Sequence, residues 1–431
     1  MASDIKTAVL RDVCNTSLGN QSFSTADFGG GTPKAAFFIV STGETDGVAA
    51  AHDICAIGCC DGTNQWSLSY RGEDARGTST SCGRRHHDTD CIVIINQPND
   101  TVDGAADFVS FDTNGVTVDW NDASGTAYMI EIWLFGGDDM QVDVATFTPG
   151  AEDTEVNVET VGFEADLLIL GAASFIFNEG ANAQTRFSIG FVENTGAGEN
   201  QAAYCRQLRS GVTTTEAYGL VHNNRGISDM TLAGGAAARG EITTFDSVGF
   251  SHFSRDAAGT GEVGYLAIDT GDRDVYVGNF TTPTGTGEQP QTGPGFKPQM
   301  VGMVTTQLPT INTVEGPSGL AGTWCISGFT PDAEFCHGYA FEDGIVLGTS
   351  NSESVSDNAA VLMHDDAGGA LMAAAFVSMD DAAGWTLNWS AVDSGNPRLQ
   401  FGFAIEDAPA PGGFSPALLR QAQRLSTLLR M

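Results

Sequence analysis

The chain has 431 residues, 41% of them apolar, and a net charge of −35 from 54 acidic and 19 basic side chains. Such an acidic surface is expected to repel nucleic acid and anionic membranes, which bind proteins through Lys and Arg. The length suits two to four domains, each with a core of its own. No apolar run is long enough to form a membrane-spanning helix, and residues 1–19 do not read as a secretory signal.

The chain begins with a segment, residues 1–27, that we predict to be an N-terminal arm. Its stretch AVLRDV, residues 8–13, is interpreted as a short helical turn. Three β-domains are predicted to follow at residues 28–150, 151–283 and 284–411. Pro-, Gly-, Thr- or acid-rich stretches mark their boundaries at 146–159, 281–295 and 407–413.

The three predicted domains are similar in sequence. An Asp that ends one strand and opens a tight turn recurs at a constant interval, and two further anchors precede it in the same order. The aspartates are 134 residues apart, which is the length of a whole domain. Solenoid repeats are much shorter, at roughly 20–50 residues. The anchors in the three units are Pro33, Gly58 and Asp112; Ala165, Gly190 and Asp246; and Pro298, Gly328 and Asp380.

Each unit ends in a predicted hairpin followed by an apolar strand. Val116, Val118 and Trp120 alternate with polar residues, a period of two that is typical of a strand with one buried face. The tryptophans are therefore predicted as core anchors, with exposed sugar platforms as the alternative. Short strands and frequent turn residues predict an all-β chain of three tandem homologous β-sandwich or jelly-roll-like domains.

The C-terminal segment, residues 412–431, is predicted as an amphipathic helix. Ser415 and Pro416 suit its first turn. Three arginines are its only charges, so it is basic on an acidic protein. We predict that it docks to a partner or to copies of itself, with folding back onto its own acidic surface as the alternative. The predicted docking residues are the apolar stripe Leu418, Ala422, Leu425 and Leu429 with Arg420 and Arg424.

One cluster in the first unit has metal-ligand residue types: Cys82, His86, His87 and Cys91. Cys and His four or five residues apart can hold zinc, and Cys55, Cys59 and Cys60 are possible further ligands. The spacing fits no regular finger or ribbon. We therefore favour ordinary thiols over a disulfide or a metal, and predict no cofactor.

Enzyme signatures are absent from the sequence, which contains no GxSxG, GxxxxGK[ST] or HExxH. The recurring aspartates are interpreted as turn residues, with calcium binding or catalysis as the alternatives. A glycosidase needs only two carboxylates, which form no motif, so that class stays open. We predict no catalytic residue.

The unit pattern, GFxP followed by an apolar strand, a Gly-Phe landmark and a closing SFDxxGFTxxW hairpin, resembles a repeated domain of virion proteins of tailed, especially marine, bacteriophages. Ser254 departs from it where the other units have Trp120 and Trp389. The resemblance implies a structural role in the tail, tail tip, fibre or capsid surface. Assembly in the host cytoplasm fits the absence of a secretory signal in residues 1–19. We predict other virion proteins as partners and a homo-oligomer.

The leading hypothesis is therefore a non-enzymatic structural protein of a virion. The second is a carbohydrate- or receptor-binding adhesion module that contacts a host surface glycan. The third is a polysaccharide-degrading enzyme. No nucleic acid and no membrane insertion are expected.

Overall fold

The computed structural model shows an all-β protein with six antiparallel sheets and, among the described residues, no α-helix. One 3-10 turn covers Ala26–Phe28. No described helix is long and apolar enough to cross a membrane. The structure describes residues 4–43, 45–74, 83–96, 101–173, 185–196, 198–209, 211–212, 214–230, 236–255, 261–316, 322–342, 344, 352–364, 370–380, 384–393 and 395–408.

Residues 6–136 form the first pair of sheets. The strands are β1 (Lys6–Val13), β2 (Gly19–Ser24), β3 (Pro33–Ser41), β4 (Ala50–Ala51), β5 (Asp53–Cys60), β6 (Gln65–Gly72), β7 (Gly83–His87), β8 (Ile92–Asn96), β9 (Thr101–Asp112), β10 (Gly115–Asp122) and β11 (Met129–Gly136). The first large sheet has the order β1-β11-β3-β5-β6-β7, and the first small sheet has the order β2-β10-β9-β8.

Residues 141–269 form the second pair. The strands are β12 (Gln141–Phe147), β13 (Thr154–Val158), β14 (Leu167–Ala172), β15 (Thr185–Asn194), β16 (Glu199–Leu208), β17 (Ala217–His222), β18 (Ile227–Met230), β19 (Ala236–Asp246), β20 (Gly249–Ser254) and β21 (Val263–Asp269). The second large sheet has the order β12-β21-β14-β15-β16-β17, and the second small sheet has the order β13-β20-β19-β18.

Residues 275–406 form the third pair. The strands are β22 (Val275–Thr281), β23 (Gly287–Gln291), β24 (Pro298–Thr306), β25 (Trp324–Phe329), β26 (Glu334–Phe341), β27 (Ser352–Asp357), β28 (Val361–His364), β29 (Ala370–Asp380), β30 (Gly384–Ala391) and β31 (Leu399–Glu406). The third large sheet, β22-β31-β24-β25-β26-β27-β4, takes its last strand from the loop after β3, and the third small sheet has the order β23-β30-β29-β28.

Each small sheet packs face to face on one side of its large sheet. In the first pair, Phe38 and Ile132 of the large sheet and Trp120 of the small sheet lie in one buried cluster. Equivalent clusters fill the second and third pairs. Strand β30 of the third small sheet alternates buried and less buried residues because only one of its faces is covered. In β10, for which the sequence predicted this alternation, Thr117 is buried as well as Val116, Val118 and Trp120.

The other faces of the three large sheets meet in a single buried cluster, called here the shared core. Tyr70 of the first sheet contacts Phe187 of the second and Tyr339 of the third, with ring centroids 5.2 and 6.2 Å apart. Phe187 in turn lies 5.2 Å from Trp324 of the third sheet. The large sheets are thus covered on both faces, which is why every residue of β5, β11 and β31 is buried.

All six tryptophans are buried, which confirms their prediction as core anchors. Trp66 of the first large sheet lies against the backbone of Gly171 and Gly264 in the second. A Cβ at either glycine would come within 2.7 Å of the indole ring. Trp66 Nε1 donates a hydrogen bond of 3.0 Å to the Tyr265 carbonyl oxygen. The glycines let two sheets approach more closely than side chains would allow.

The first strands differ from the prediction for the N-terminus. Residues 8–13, interpreted from sequence as a helical turn, lie in β1, which pairs with β11 along its length. The polar and charged residues of this stretch are on the half-exposed end of an edge strand, so they do not mark a helix. The predicted C-terminal helix, residues 412–431, lies outside the described residues.

We expect Trp66→Ala to destabilise the protein by about 3–5 kcal/mol, because it empties a volume shared by two sheets. Leu18→Ala, at a side chain that is 70% exposed, is the control and should change stability little. Urea unfolding monitored by circular dichroism measures both. A loss below about 1 kcal/mol, or a separate early transition that leaves the rest of the fold unaffected, would contradict a shared core.

Candidate functional site

A fully buried ion pair lies where the three large sheets meet. Arg206 on β16 contacts the Asp53 carboxylate on β5, and both side chains have no exposed surface. Arg206 Nη1 also donates to the Tyr70 hydroxyl at 2.5 Å, and Trp324 Nε1 donates to the same oxygen at 2.9 Å. Burial raises the pKa of Asp53 to about 6, and the Arg206 guanidinium opposes that rise. The cluster ties together residues from all three large sheets.

A second buried cluster has the composition of a hydrolase triad. His337 Nδ1 on β26 lies 2.9 Å from the Ser41 hydroxyl and 2.7 Å from the Ser356 hydroxyl. Its Nε2 lies 3.6 Å from a Glu131 carboxylate oxygen. Trp133 Nε1 donates to the other Glu131 oxygen at 2.6 Å. Serine, imidazole and carboxylate in this order are the groups that nucleophilic catalysis uses.

The environment of this cluster does not suit catalysis. The side chains of His337 and Glu131 have no exposed surface, and Ser41 and Ser356 are equally buried. Burial lowers the pKa of His337 to about 3 and raises that of Glu131 well above its usual range. An imidazole so hard to protonate is a weak general base near neutral pH. The cluster instead joins strands of the first and third large sheets.

Sequence reasoning missed both buried clusters. Ser41, Glu131 and His337 belong to no motif and lie far apart in the chain. The available signal was a polar side chain inside an otherwise apolar strand, as in β11 and β26. Such residues need a buried partner. Which partner they have depends on the packing of the sheets, which the local pattern does not contain.

The structure separates the predicted metal candidates. His86 is buried on β7, and its neighbour His87 extends to the opposite face of the strand and lies 2.7 Å from Asp90. Cys91 is buried and donates to the Ala106 carbonyl oxygen at 3.3 Å. The described residues contain no group of three or more metal-ligating side chains. Cys82 lies outside them.

The other cysteines follow the same pattern. Eight are described, and all eight are buried and free, including Cys55, Cys59 and Cys60. Burial raises the pKa of Cys59 and Cys60, so these thiols stay protonated. A buried neutral thiol behaves as a small apolar side chain and is chemically inert.

The recurring aspartates lie at hairpin turns. Asp246 accepts hydrogen bonds from the backbone N–H groups of Val248 and Gly249 at 2.9 and 3.0 Å, the arrangement that fixes a tight turn. Asp112 accepts from the hydroxyls of Thr117 and Ser110 at 2.5 and 3.1 Å. The side chain of Asp380 lies outside the described residues. The turn interpretation is therefore supported for Asp246, whereas the Asp112 carboxylate bonds side-chain hydroxyls of its own hairpin strands.

A cavity of about 510 Å³, called here the seam cavity, lies between the second and third pairs of sheets. Its Glu241 binds Arg225 through one carboxylate oxygen, at 2.6 Å, and Arg255 through the other. Its Glu199 has a pKa raised to about 7 by burial and by the charges of Glu193 and Glu164. The lining residues are Glu199, Asn200, Gln201, Asn223, Asn224, Arg225, Glu241, Tyr276, Val277, Gly278 and Asn279.

A second cavity, of about 440 Å³, lies in the first pair and includes Thr42, His52, Arg71 and Asp103 in its lining. Tyr128 donates to an Asp103 oxygen at 3.0 Å, and burial raises the pKa of this tyrosine to about 12. The Asp103 oxygen also accepts a hydrogen bond of 2.7 Å from Ser124. The Asp103 oxygen in this lining is therefore held by two hydroxyl donors.

His252 shows the effect of burial on a titrating group most simply. It is 2% exposed, packs beside the Phe147 ring at 5.2 Å and lies directly over Gly240. Burial lowers its pKa to about 4. In the unfolded chain its pKa is about 6.5, so the unfolded state takes up a proton first on acidification.

We therefore expect His252 to make stability fall as the pH drops from about 6.5 to about 4, by about 1.4 kcal/mol per pH unit. His252→Leu should remove this contribution and flatten the dependence by that amount. Between about pH 7.5 and 8.5 wild type and variant should have equal slopes, because the histidine is neutral in both states. Unfolding free energies from urea titrations at each pH measure the slopes, and identical slopes near pH 5 would refute the expectation.

The Arg206–Asp53 pair yields a second test. Asp53→Ala leaves a buried guanidinium without its carboxylate, and we expect a loss of about 3–5 kcal/mol. The double variant Asp53→Leu/Arg206→Met, which removes both charges, should recover most of that loss. Chemical denaturation of the three proteins measures the coupling. A double variant no more stable than Asp53→Ala would argue against this account.

No protein-family model matches the chain, and no curated protein matches its sequence.

Proposed function

We propose that this chain is a non-enzymatic structural component of a tailed-phage virion, built as three tandem homologous β-sandwich domains around one hub. The observation that carries the proposal is the shared core, in which all three large sheets contribute aromatic side chains. A chain that already closes three units around a common centre resembles a symmetric trimer, the kind of object from which larger symmetric assemblies are made.

The connections of the strands support three homologous units, taken from here on as the three pairs of sheets, residues 6–136, 141–269 and 275–406. Counted along each set of ten strands, with β4 left aside, the large sheet always has the order first, tenth, third, fourth, fifth and sixth. The small sheet always has the order second, ninth, eighth and seventh. A β-bulge also recurs, since Val109, Thr243 and Val377 are skipped in the pairing of the hairpin strands, at the same constant interval as the recurring aspartates. Bulges are typically retained within a family.

The contacts between units support the same repeat. An Asp61 carboxylate oxygen accepts a hydrogen bond of 2.9 Å from the backbone N–H of Val144, which lies on β12, the first strand of the next unit. A Glu193 oxygen accepts the N–H of Val277 at 2.8 Å. The two acceptors are separated by nearly one repeat length, and so are the two donors. The same connection therefore joins the first unit to the second and the second to the third.

A hub is favoured over an extended rod. In a rod only successive units would touch, whereas Trp133 of the first unit lies 5.7 Å from Phe403 of the third. Strand β4 of the first unit also pairs with β27 of the third. These contacts close the ring of three units.

The virion setting rests on the resemblance of the unit pattern to repeated domains of phage virion proteins. It implies other virion proteins as partners and assembly in the host cytoplasm. The eight buried free cysteines are consistent with a reducing compartment. Tail, tail tip, fibre and capsid surface are all compatible with a hub of this kind.

The basic C-terminal segment is proposed as the arm that docks this hub to a partner or to further copies. Its stripe Leu418, Ala422, Leu425 and Leu429 would supply the apolar contact, and Arg420 and Arg424 the attraction to an acidic surface. A short amphipathic helix is marginal by itself and gains stability from the surface it binds.

The two other hypotheses have weaker support. The burial of all six tryptophans removes the exposed indole rings that would have favoured a sugar platform. For a glycosidase, Glu199 and Glu241 line one cavity, but both oxygens of Glu241 are bound by arginines. A carboxylate held in this way is a poor nucleophile or base, which argues against paired-carboxylate hydrolysis.

Removal of residues 414–431 tests the docking arm. We expect the truncated chain to keep its β-sheet circular dichroism and thermal midpoint, since the shared core lies elsewhere, but to lose stoichiometric incorporation into particles. Mass measurement of purified particles made with full-length and truncated chains checks this. Incorporation at the full-length stoichiometry would contradict the docking role.

Point variants refine this test. Leu425→Asp/Leu429→Asp places two charges on the proposed apolar stripe and should reduce incorporation at least tenfold. Gln423→Asp/Thr427→Asp adds the same charges on the opposite side of the predicted helix and is the matched control. Equal incorporation of the two double variants would show that no apolar face is used.

A further inference from the structure

We propose that the seam cavity binds a neutral, polyhydroxylated ligand of mono- or disaccharide size. Its volume of about 510 Å³ lies in the range of ligand pockets, which is roughly 300–1,000 Å³. This inference goes beyond the structural role proposed above and is independent of it. It also needs no exposed tryptophan.

The lining of the cavity has the hydrogen-bonding groups that hydroxyls require. Four asparagines, Asn200, Asn223, Asn224 and Asn279, line it, and an amide has two donors and one acceptor oxygen. Asn200 already donates to Glu193 and Asn223 already accepts from Asn312, so these two offer the ligand only their remaining groups. A sugar hydroxyl both donates and accepts hydrogen bonds. Amide N–H groups can donate to it, and amide and carboxyl oxygens can accept from it. Tyr276 adds a half-buried aromatic ring to the same lining.

The charge of the cavity favours a neutral ligand over a cation. The carboxylate of Glu241 is neutralised by Arg225 and Arg255, which contact its two oxygens. Glu199 is the remaining acid, and burial holds its pKa near 7, so it is partly protonated at neutral pH. The described residues form no His, Cys, Asp or Glu group that would hold a metal ion.

Two acceptors of the lining lack a donor. Glu199 Oε2 and Asn279 Oδ1 are buried and have no hydrogen-bond partner in the described part of the chain. A buried polar group left unpaired costs about 1–3 kcal/mol. Glu199 and Asn279 therefore each carry an acceptor that the described part of the chain does not use, one on each wall of the cavity.

The two walls belong to different units and are fixed to each other. Tyr276, Val277 and Asn279 lie on β22, and Glu199 begins β16. The hydrogen bond from Val277 N–H to Glu193 Oε2, at 2.8 Å, joins the two walls. A cavity formed in advance loses little entropy when a small ligand enters it.

The test is isothermal titration calorimetry of the full-length protein with glucose, galactose, mannose, N-acetylglucosamine, lactose and maltose. We expect saturable 1:1 binding of at least one of these sugars. Asn224→Trp places a bulky ring at the exposed mouth and should weaken binding at least tenfold. Asn20→Trp, at an exposed position of edge strand β2, is the matched control and should leave the affinity within twofold.

A second variant removes the unpaired acceptors. Glu199→Ala/Asn279→Ala should also weaken binding at least tenfold, with circular dichroism and the thermal midpoint as checks of folding. If this variant fails to fold, Asn224→Trp decides alone. The proposal is overturned if none of the six sugars binds, if binding survives Asn224→Trp within twofold, or if only arginine and spermidine, tested in parallel, bind.

Discussion

The burial of both faces of three large sheets is the constraint on which the rest of this molecule depends. Antiparallel sheets usually cover one face and leave the other in water, and their strands then alternate between apolar and polar residues. Here one face of each large sheet packs on its small sheet and the other enters the shared core. Strands such as β5 and β31 therefore have no exposed side chain along their whole length.

Polar groups inside a core of this kind have no contact with water and need partners within the protein. Asp53, Arg206, Glu131 and His337 are fully buried, and their contacts join different large sheets. Exchanging such groups for apolar residues often stabilises a protein, so their contribution lies less in net stability than in selecting one arrangement of the sheets. Apolar faces alone would tolerate several mutual rotations, whereas a buried ion pair is satisfied in only one of them.

Local features of the fold could be predicted from the sequence, but few of the contacts between distant parts of the chain could. The burial of Trp120 and the tight turn at Asp246 were predictable, because each depends on residues close together in the chain. The strand at residues 6–13 was misread, since its half-exposed end has the charged residues that also occur in a helical turn. The contacts of Ser41 with His337 could not be predicted, because they depend on how the sheets pack.

The candidate site shows the same division. The residues that sequence reasoning singled out, His86, His87 and Cys91, were prominent by type, but the structure separates their side chains. Glu199 and Asn279 line one cavity although they lie on different large sheets. Neither residue lies in a sequence motif that would have identified it as part of a binding site. Sites that form where units meet carry no local signal, because their members are brought together only when the chain closes.

The pairing of β4 with β27 has a consequence for synthesis on the ribosome. The two strands are about 300 residues apart, and translation adds about 5–20 residues per second. At those speeds, β27 is synthesised roughly 15–60 s after β4. During that interval the inner face of its large sheet has no cover from the third unit. The nascent chain thus carries a transient apolar surface, and the rate of elongation sets how long neighbouring nascent chains on the same messenger can reach it.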